Sequence, residues 1–198
     1  MSVNQIKSHE GESTVNRTKQ FGPLVVFLIL VLASLLSVSA QSRQAKRHVD
    51  VPAITPRPED VGTLDGIIRA FYDVISGPAG APRQWSRDRT LYIPEIKFVQ
   101  VSRKNGKVTS EVMDHQTYVD GSDSAMVKHG FYEREIHRVV QSFGDITHVF
   151  STYESRTTFD GPVIARGINS IELINDGKRW WITFAQWSDE TPDSPIPP

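Results

Sequence analysis

Three side chains in the second half of the sequence, His148, Arg166 and Tyr153, are the predicted catalytic candidates. An imidazole with an unperturbed pKa of about 6.5 donates or accepts protons near neutral pH. A guanidinium can hold a substrate carboxylate through two hydrogen bonds, and a phenol can donate one. Each also has a structural interpretation, because His148 suits a packed strand histidine and Arg166 could stack on an indole instead.

Five further residues are predicted to line a pocket, and all are large aromatic or hydrogen-bonding residues: Trp85, Tyr92, His137, Asn169 and Trp187. The two tryptophans and the tyrosine are equally consistent with core packing. Asn169 falls on an otherwise apolar strand face, where a buried amide needs partners, so a structural hydrogen bond is the alternative. His137 lies among charged residues, which favours an ordinary position on a sheet.

Composition removes several classes of function. The 198 residues carry a formal net charge of −1, so no basic excess is available for phosphate backbones and nucleic acid is not an expected partner. The absence of cysteine excludes disulfides, thiolate metal sites and a cysteine nucleophile. The histidines show neither HxH nor HExxH spacing, and no phosphate loop or nucleophile elbow is present. We therefore predict no metal and no cofactor.

The N-terminal region contains an uncharged apolar segment, residues 24–36, with the sequence LVVFLILVLASLL. Basic residues precede it and Val38-Ser39-Ala40 follows, which is the pattern of a signal peptide cleaved after residue 40. Residues 21–40 are also just long enough to span a bilayer, so an uncleaved anchor is the alternative. In both cases the rest of the chain is expected outside the cytoplasm, periplasmic or extracellular, and only residues 21–40 would touch a membrane.

The remainder is predicted to be one domain between two extended segments. Residues 41–59, with several basic residues and prolines, are typical of an exposed linker. The domain covers residues 60–190, and residues 191–198 form a proline-rich tail.

Helical periodicity comes first in this domain. Thr63 is a suitable cap for a helix whose apolar residues recur at i, i+3, i+4 and i+7, and Gly77-Pro78 ends it. A shorter helix is predicted to begin at Pro82 and to end before Pro94. Asp114 could cap a third helix.

Strand periodicity follows. Asn105-Gly106 is a strong hairpin signal between strands at Ile96–Val101 and Lys107–Met113. Glycine-containing turns then separate four further strands, which together predict a meander: Phe131–Phe143, Ile146–Arg156, Val163–Ile174 and Arg179–Trp187.

Two-residue turns predict the register of the meander. With Gly144-Asp145 as the turn, both faces of that hairpin carry large apolar side chains, which predicts a homodimer that covers one face. With Asp176-Gly177 as the next turn, Arg166 is placed opposite Trp187. We then expect His148 and Arg166 to reach the interior beside Trp187, although a slip of one residue would reverse their face.

The element order resembles that of the nuclear transport factor 2-like superfamily, in its SnoaL-like and ketosteroid-isomerase-like branch. The strings LDGIIRAFYDVISGPAG, GFYEREIHRVVQSFGDITHVFSTYESR and ARGINSIELINDGKRWWI are similar to the first helix and the meander of uncharacterised bacterial members. The resemblance covers residues 60–190. It implies an α+β cone-shaped fold, with about three N-terminal helices on a strongly bent antiparallel sheet that ends in a four-strand meander.

The resemblance implies no single activity, because the superfamily contains several kinds of enzyme and also non-catalytic modules. Its isomerases pair a carboxylate base with a tyrosine and a protonated acid, and no motif in this sequence places those three. Two hypotheses follow: an enzyme that performs acid–base chemistry on a small apolar substrate, or a non-catalytic ligand-binding or dimerisation module. A deep pocket that encloses an ionisable group favours the first, and a filled interior favours the second.

Overall fold

The computed structural model of the chain describes residues 47–197. Helices precede and interrupt a sheet, which confirms the predicted α+β class. The elements are helices α1 (Pro58–Val61), α2 (Leu64–Asp73), α3 (Trp85–Arg89) and α4 (His115–His129), and strands β1 (Tyr92–Lys104), β2 (Lys107–Met113), β3 (Tyr132–Phe143), β4 (Ile146–Arg156), β5 (Ala165–Asn175) and β6 (Trp180–Asp189).

The predicted export segment, residues 1–40, and the first part of the predicted linker lie outside the described residues. Between residues 47 and 197, no helix combines the length and the hydropathy that crossing a bilayer requires. The described part of the linker is mostly exposed, but Val49 and Val51 pack against the core. Asp120 on α4 accepts the backbone N–H of Val49 at 2.9 Å, which holds this stretch along the helix.

The two long helices begin at the predicted caps. The Thr63 hydroxyl accepts the N–H of Gly66 at 2.9 Å at the start of α2, and the Asp114 carboxylate accepts that of Thr117 at 2.8 Å at the start of α4. The short helix α3 starts at Trp85 rather than at Pro82. The N–H of Gln84 instead donates to the carbonyl of Val74 at the end of α2, so this stretch connects the two helices.

The sheet is mixed rather than wholly antiparallel. Its strand order is β2-β1-β6-β5-β4-β3, and β1 pairs with β6 in parallel. The other neighbours are antiparallel, so strands β3 to β6 form the predicted four-strand meander. Asn105 and Gly106 both have positive φ, at 52° and 74°, as the predicted hairpin turn between β1 and β2 requires.

The predicted register of the β3–β4 hairpin is confirmed from the turn to His137, which pairs with Thr152. Ile136 is then an extra residue, because Glu135 pairs with Tyr153. This bulge lets β3 change direction before it reaches the helices.

The predicted register of the β5–β6 hairpin is wrong. Asn175 pairs with Trp180 and not with Lys178, because the Asp176 carboxylate accepts the N–H groups of Lys178 and Arg179 and widens the turn. Thr183 then adds a bulge, since Leu173 pairs with Ile182 but Glu172 with Phe184. Trp187 consequently lies opposite Asn169 rather than opposite Arg166.

The face of the sheet that the helices cover, called the inner face below, holds the core. Phe98, Ala185, Ile171 and Val149 form one apolar row across β1, β6, β5 and β4, and each is at most 2% exposed. The next inner row is Gln100, Trp187, Asn169 and Ser151. The inner face therefore changes from apolar to polar along the strands.

Candidate functional site

A cavity of about 220 Å³ lies between the inner face and helices α2 and α4. Half of its twelve lining residues are aromatic: Phe71, Tyr92, Phe98, Tyr118, Phe131 and Trp187. Ile75 and Met126 add aliphatic surface, and four polar residues complete the lining: Gln100, Ser122, Glu133 and Asn169. Small ligands are commonly bound in such apolar cavities, where a few polar groups fix their orientation.

Glu133 is the only carboxylate among these lining residues. The loop after α2 positions it, because Gly77 and Phe131 exchange two backbone hydrogen bonds and the N–H of Glu133 donates to the Ser76 hydroxyl at 3.0 Å. Burial raises the pKa of Glu133 to about 8, the Asn169 amide opposes this rise, and the negative charge of Asp189 adds to it. At neutral pH the side chain is therefore mainly a neutral acid that can donate a proton.

A chain of hydrogen bonds fixes the Asn169 side chain. Its Nδ2 donates to the Tyr72 hydroxyl at 3.2 Å and lies 3.4 Å from Oε1 of Glu133. The Tyr72 hydroxyl lies 2.6 Å from the Ser151 hydroxyl, which donates to Glu135. Because both bonds use the amide nitrogen, Oδ1 of Asn169 has no partner among the described residues and is free to accept one.

Tyr118 on α4 contributes a second donor. Its ring contacts Phe98 and Trp187, with centroids 4.9 and 6.0 Å away. Tyr118 lines the cavity, and within residues 47–197 its hydroxyl forms no hydrogen bond and is not fully buried, so it can donate to another group. Burial raises the pKa of Tyr118, and the Asp88 and Glu133 carboxylates raise it further, so the phenol stays protonated.

The hydroxyl of Tyr92, by contrast, is already occupied. It donates to the fully buried Asp88 at 2.7 Å, and Nε2 of His115 lies 2.8 Å from the other oxygen of that carboxylate. This arrangement locks the Tyr92 ring in the wall and joins α3, β1 and α4 behind the cavity.

His148 and Arg166 lie on the other face of the sheet, called the outer face below. Each is three positions along its strand from an inner residue, Ser151 or Asn169, and strand residues alternate between faces. His148 lies 3.0 Å from the Ser170 hydroxyl, and Arg166 lies 3.7 Å from Glu190. The prediction that both reach the interior beside Trp187 is therefore wrong, because the Thr183 bulge moves Trp187 to the face opposite to theirs.

Tyr153, the third catalytic candidate, lies on the inner face but outside the cavity lining. Its hydroxyl donates to Asp189, and its ring lies over Gly167 on β5. A Cβ at Gly167 would collide with the Tyr153 hydroxyl and with the Ser188 carbonyl. Tyr153 therefore has a closely packed, hydrogen-bonded position behind the cavity.

The five predicted pocket residues separate into two groups. Tyr92, Asn169 and Trp187 line the cavity. Trp85 instead borders a surface groove and donates its indole N–H to Asp123 at 2.7 Å. His137 is exposed and lies on the outer face, where it pairs with Thr152.

Sequence reasoning missed Glu133 and Tyr118. A weak signal for Glu133 was present, since it follows the predicted strand start at Phe131 and alternation places it with Phe131. Tyr118 follows the predicted helix cap Asp114 by four residues, but nothing in the sequence pattern indicates that its hydroxyl is unpaired. In the described part of the chain, no three His, Asp or Glu side chains come together as metal ligands.

No protein-family model matches the sequence. No curated protein matches it either. The structural neighbours are nuclear transport factor 2-like proteins and proteins named after ketosteroid isomerase, mostly bacterial and of unknown function.

Three neighbours illustrate the similarity. A protein of unknown function from Mycobacterium tuberculosis has a TM-score of 0.47 and 11% identity, over 68% of this chain and 79% of that one. A nuclear transport factor 2-like protein from Silicibacter pomeroyi has a TM-score of 0.44 and 11% identity, over 65% and 94%. A protein provisionally named a ketosteroid isomerase, from Parabacteroides distasonis, has a TM-score of 0.43 and 16% identity, over 74% and 98%. Similarity at this level assigns neither an activity nor a site to this chain.

Proposed function

We propose that the domain binds a small, mainly apolar molecule in the cavity and transfers protons to or from it through Glu133. The observation that carries the proposal is the position of the Glu133 carboxyl group in the wall of a mainly apolar cavity, where burial raises its pKa to about 8. A group with a pKa near the working pH is well suited to act as both acid and base. The Tyr118 hydroxyl adds a neutral donor that can hold a ligand oxygen.

The bent, cone-like shape of the sheet belongs to this proposal, because it would bring Glu133 at the start of β3 over Asn169 on β5. The compartment is also part of the proposal. The apolar segment at residues 24–36 and the Val38-Ser39-Ala40 ending support export, with cleavage after residue 40 or anchoring through residues 21–40. N-terminal sequencing of protein recovered from the producing cells tests this, and an intact cytoplasmic product would contradict it.

The ligand proposal is tested by a thermal-shift screen of apolar ketones and alcohols, followed by assays for isomerisation, dehydration or hydrolysis of each ligand that binds. Glu133→Gln keeps the shape but cannot exchange the proton, so it should retain binding and lose turnover by at least about 100-fold. The exposed Glu172→Gln on the outer face is the matched control and should keep full turnover.

Binding without turnover of any ligand would favour the non-catalytic module instead. Equal turnover by Glu133→Gln and by the unchanged protein would remove Glu133 from the proposal.

A further inference from the structure

The size, charge and polarity of the cavity limit the ligand further, provided that the proposed function holds. We propose that the ligand is an uncharged molecule of about ten non-hydrogen atoms, one ring in size, with a hydrogen-bonding group at each end.

Size is the first argument. The cavity has a volume of about 220 Å³, whereas pockets for drug-sized ligands span about 300–1,000 Å³. One water molecule occupies about 30 Å³ in the liquid, so the space corresponds to roughly seven waters. Covalently bonded atoms sit closer together than separate waters, which allows about ten of them in a single ring with short substituents. A steroid skeleton of four fused rings exceeds this space.

Charge is the second argument. No arginine, lysine or histidine belongs to the cavity lining, so a ligand carboxylate would be buried without a partner. Glu133 is the one lining group that could pair with a ligand cation, but it is held near the Asn169 amide, which lies 3.4 Å away, and it is mainly neutral at neutral pH. An uncharged ligand avoids both desolvation penalties.

The positions of the polar groups are the third argument. Gln100 and Asn169 both pair with Trp187, one on β1 and the other on β5. They therefore flank this indole on the inner face, two strand spacings or about 10 Å apart. Glu133 lies at the Asn169 end, and the Gln100 amide forms no hydrogen bond among residues 47–197. A ring that lies over Trp187 would present one polar group to each end.

The test measures dissociation constants of five probes by titration calorimetry with the full-length protein, at a pH of about 6, where Glu133 is protonated. 4-Hydroxyacetophenone has the proposed size, neutrality and two polar ends, and acetophenone lacks one end. 4-Hydroxybenzoate and tyramine carry a negative and a positive charge on a similar skeleton, and progesterone is too large. We expect 4-hydroxyacetophenone to bind at least about tenfold more tightly than either charged probe, and progesterone not to bind.

A substitution checks the Gln100 end. Gln100→Leu should raise the dissociation constant of 4-hydroxyacetophenone at least about fivefold and should change that of acetophenone by no more than about twofold. The reason is that only 4-hydroxyacetophenone can use the Gln100 amide. Gln141→Leu, at an exposed position of the outer face, should change neither.

Tighter binding of tyramine would overturn the assignment of an uncharged ligand, and tighter binding of progesterone would overturn the size limit. Equal effects of Gln100→Leu on both ketones would overturn the proposal that the ligand has a second hydrogen-bonding group. Failure of every probe to bind would overturn the ligand class. None of these outcomes depends on turnover. The proposed proton transfer fails separately, if Glu133→Gln leaves turnover unchanged.

Discussion

The two faces of the sheet distribute polar and apolar side chains in opposite ways. The covered inner face buries Tyr72, Ser151 and Asn169 in one connected network. The outer face, which no helix among residues 47–197 covers, exposes large apolar side chains, with Phe143 at 83% and Ile146 at 59% exposure. Burial of polar groups opposes folding unless hydrogen-bond partners compensate, whereas a contiguous exposed apolar patch marks a surface for interaction.

The difference indicates where each kind of partner belongs. On the inner face, protein groups satisfy most of the polar atoms, and the Gln100 and Asn169 side chains, which have unpaired polar atoms, line a cavity of ligand size. On the outer face, Val139, Phe143, Ile146 and Phe150 form a patch of exposed apolar side chains, which we call the outer patch. The homodimer predicted from the sequence therefore remains our proposal, with the outer patch as its interface.

The largest expected effect is on the packing of the inner face. Gly167→Ala should lower the free energy of unfolding by about 3 kcal/mol, because the added Cβ overlaps the Tyr153 hydroxyl and the Ser188 carbonyl. Gly144→Ala is the control, since its φ of 57° is strained but nothing lies within 4 Å, and about 1 kcal/mol is expected. Chemical denaturation measures both, and equal losses would mean that the inner face has room to adapt.

A smaller effect is expected within the polar network. Tyr72→Phe should lower the free energy of unfolding by about 1–3 kcal/mol, because it removes the buried hydroxyl that bonds both the Asn169 amide and the Ser151 hydroxyl. Ser170→Ala removes the bond to His148 on the outer face and should cost about 0.5 kcal/mol, because water replaces the lost partner. If the two variants were equally stable, the network would contribute no more than a surface bond.

The third effect depends on pH. The folded pKa of Glu133, about 8, lies above the unfolded value of 4.5. Between these values the folded state holds a proton that the unfolded state has released. The contribution of Glu133 to the free energy of unfolding is therefore complete below pH 4.5 and is lost as the pH rises through 8. Relative to Glu133→Gln, the unchanged protein should lose about 1–3 kcal/mol of unfolding free energy over this range. This is less than the complete pKa shift would give, because part of the side chain faces the cavity. Denaturation curves for both proteins across the range measure this, and parallel pH profiles would contradict the raised pKa.

The smallest effect on stability is expected in the outer patch. Phe143→Glu should change the unfolding free energy of the monomer by no more than about 0.5 kcal/mol, since the side chain is 83% exposed, but it should abolish the dimer. Val112→Glu, on the edge strand β2 and 64% exposed, is the control and should leave the dimer intact. Sedimentation at micromolar concentration distinguishes them, and a monomeric unchanged protein would remove the dimer proposal.

Local sequence signals predicted most of the elements. Thr63 and Asp114 each cap a helix with one side chain that accepts a nearby backbone N–H. The hairpin turn at Asn105-Gly106 needs only two residues that tolerate positive φ. Such signals need no knowledge of the rest of the fold, and the predictions based on them are confirmed.

The site could not be predicted in the same way, because it depends on two irregularities in β-strands. The extra residue Thr183 turns Trp187 to the inner face, and the extra residue Ile136 changes the course of β3 near Glu133. The alternation of apolar and polar residues along a strand does not show where an extra residue is inserted. One insertion moves every later side chain of the strand to the opposite face of the sheet. The parallel pairing of β1 with β6 was missed for a related reason, because no turn connects these strands.

The place of β6 in the sheet has a consequence for how the chain folds. Strand β6 follows the other five strands in the sequence but lies between β1 and β5, so it is central in the sheet rather than at an edge. Until Asp189 has left the ribosome, β1 and β2 have no partner in the meander. Contacts between residues as distant as Tyr92 and Ile182 must then form together. Such distant pairings slow folding because a long loop must close before they form, so we expect the complete sheet to form only after β6 has been synthesised.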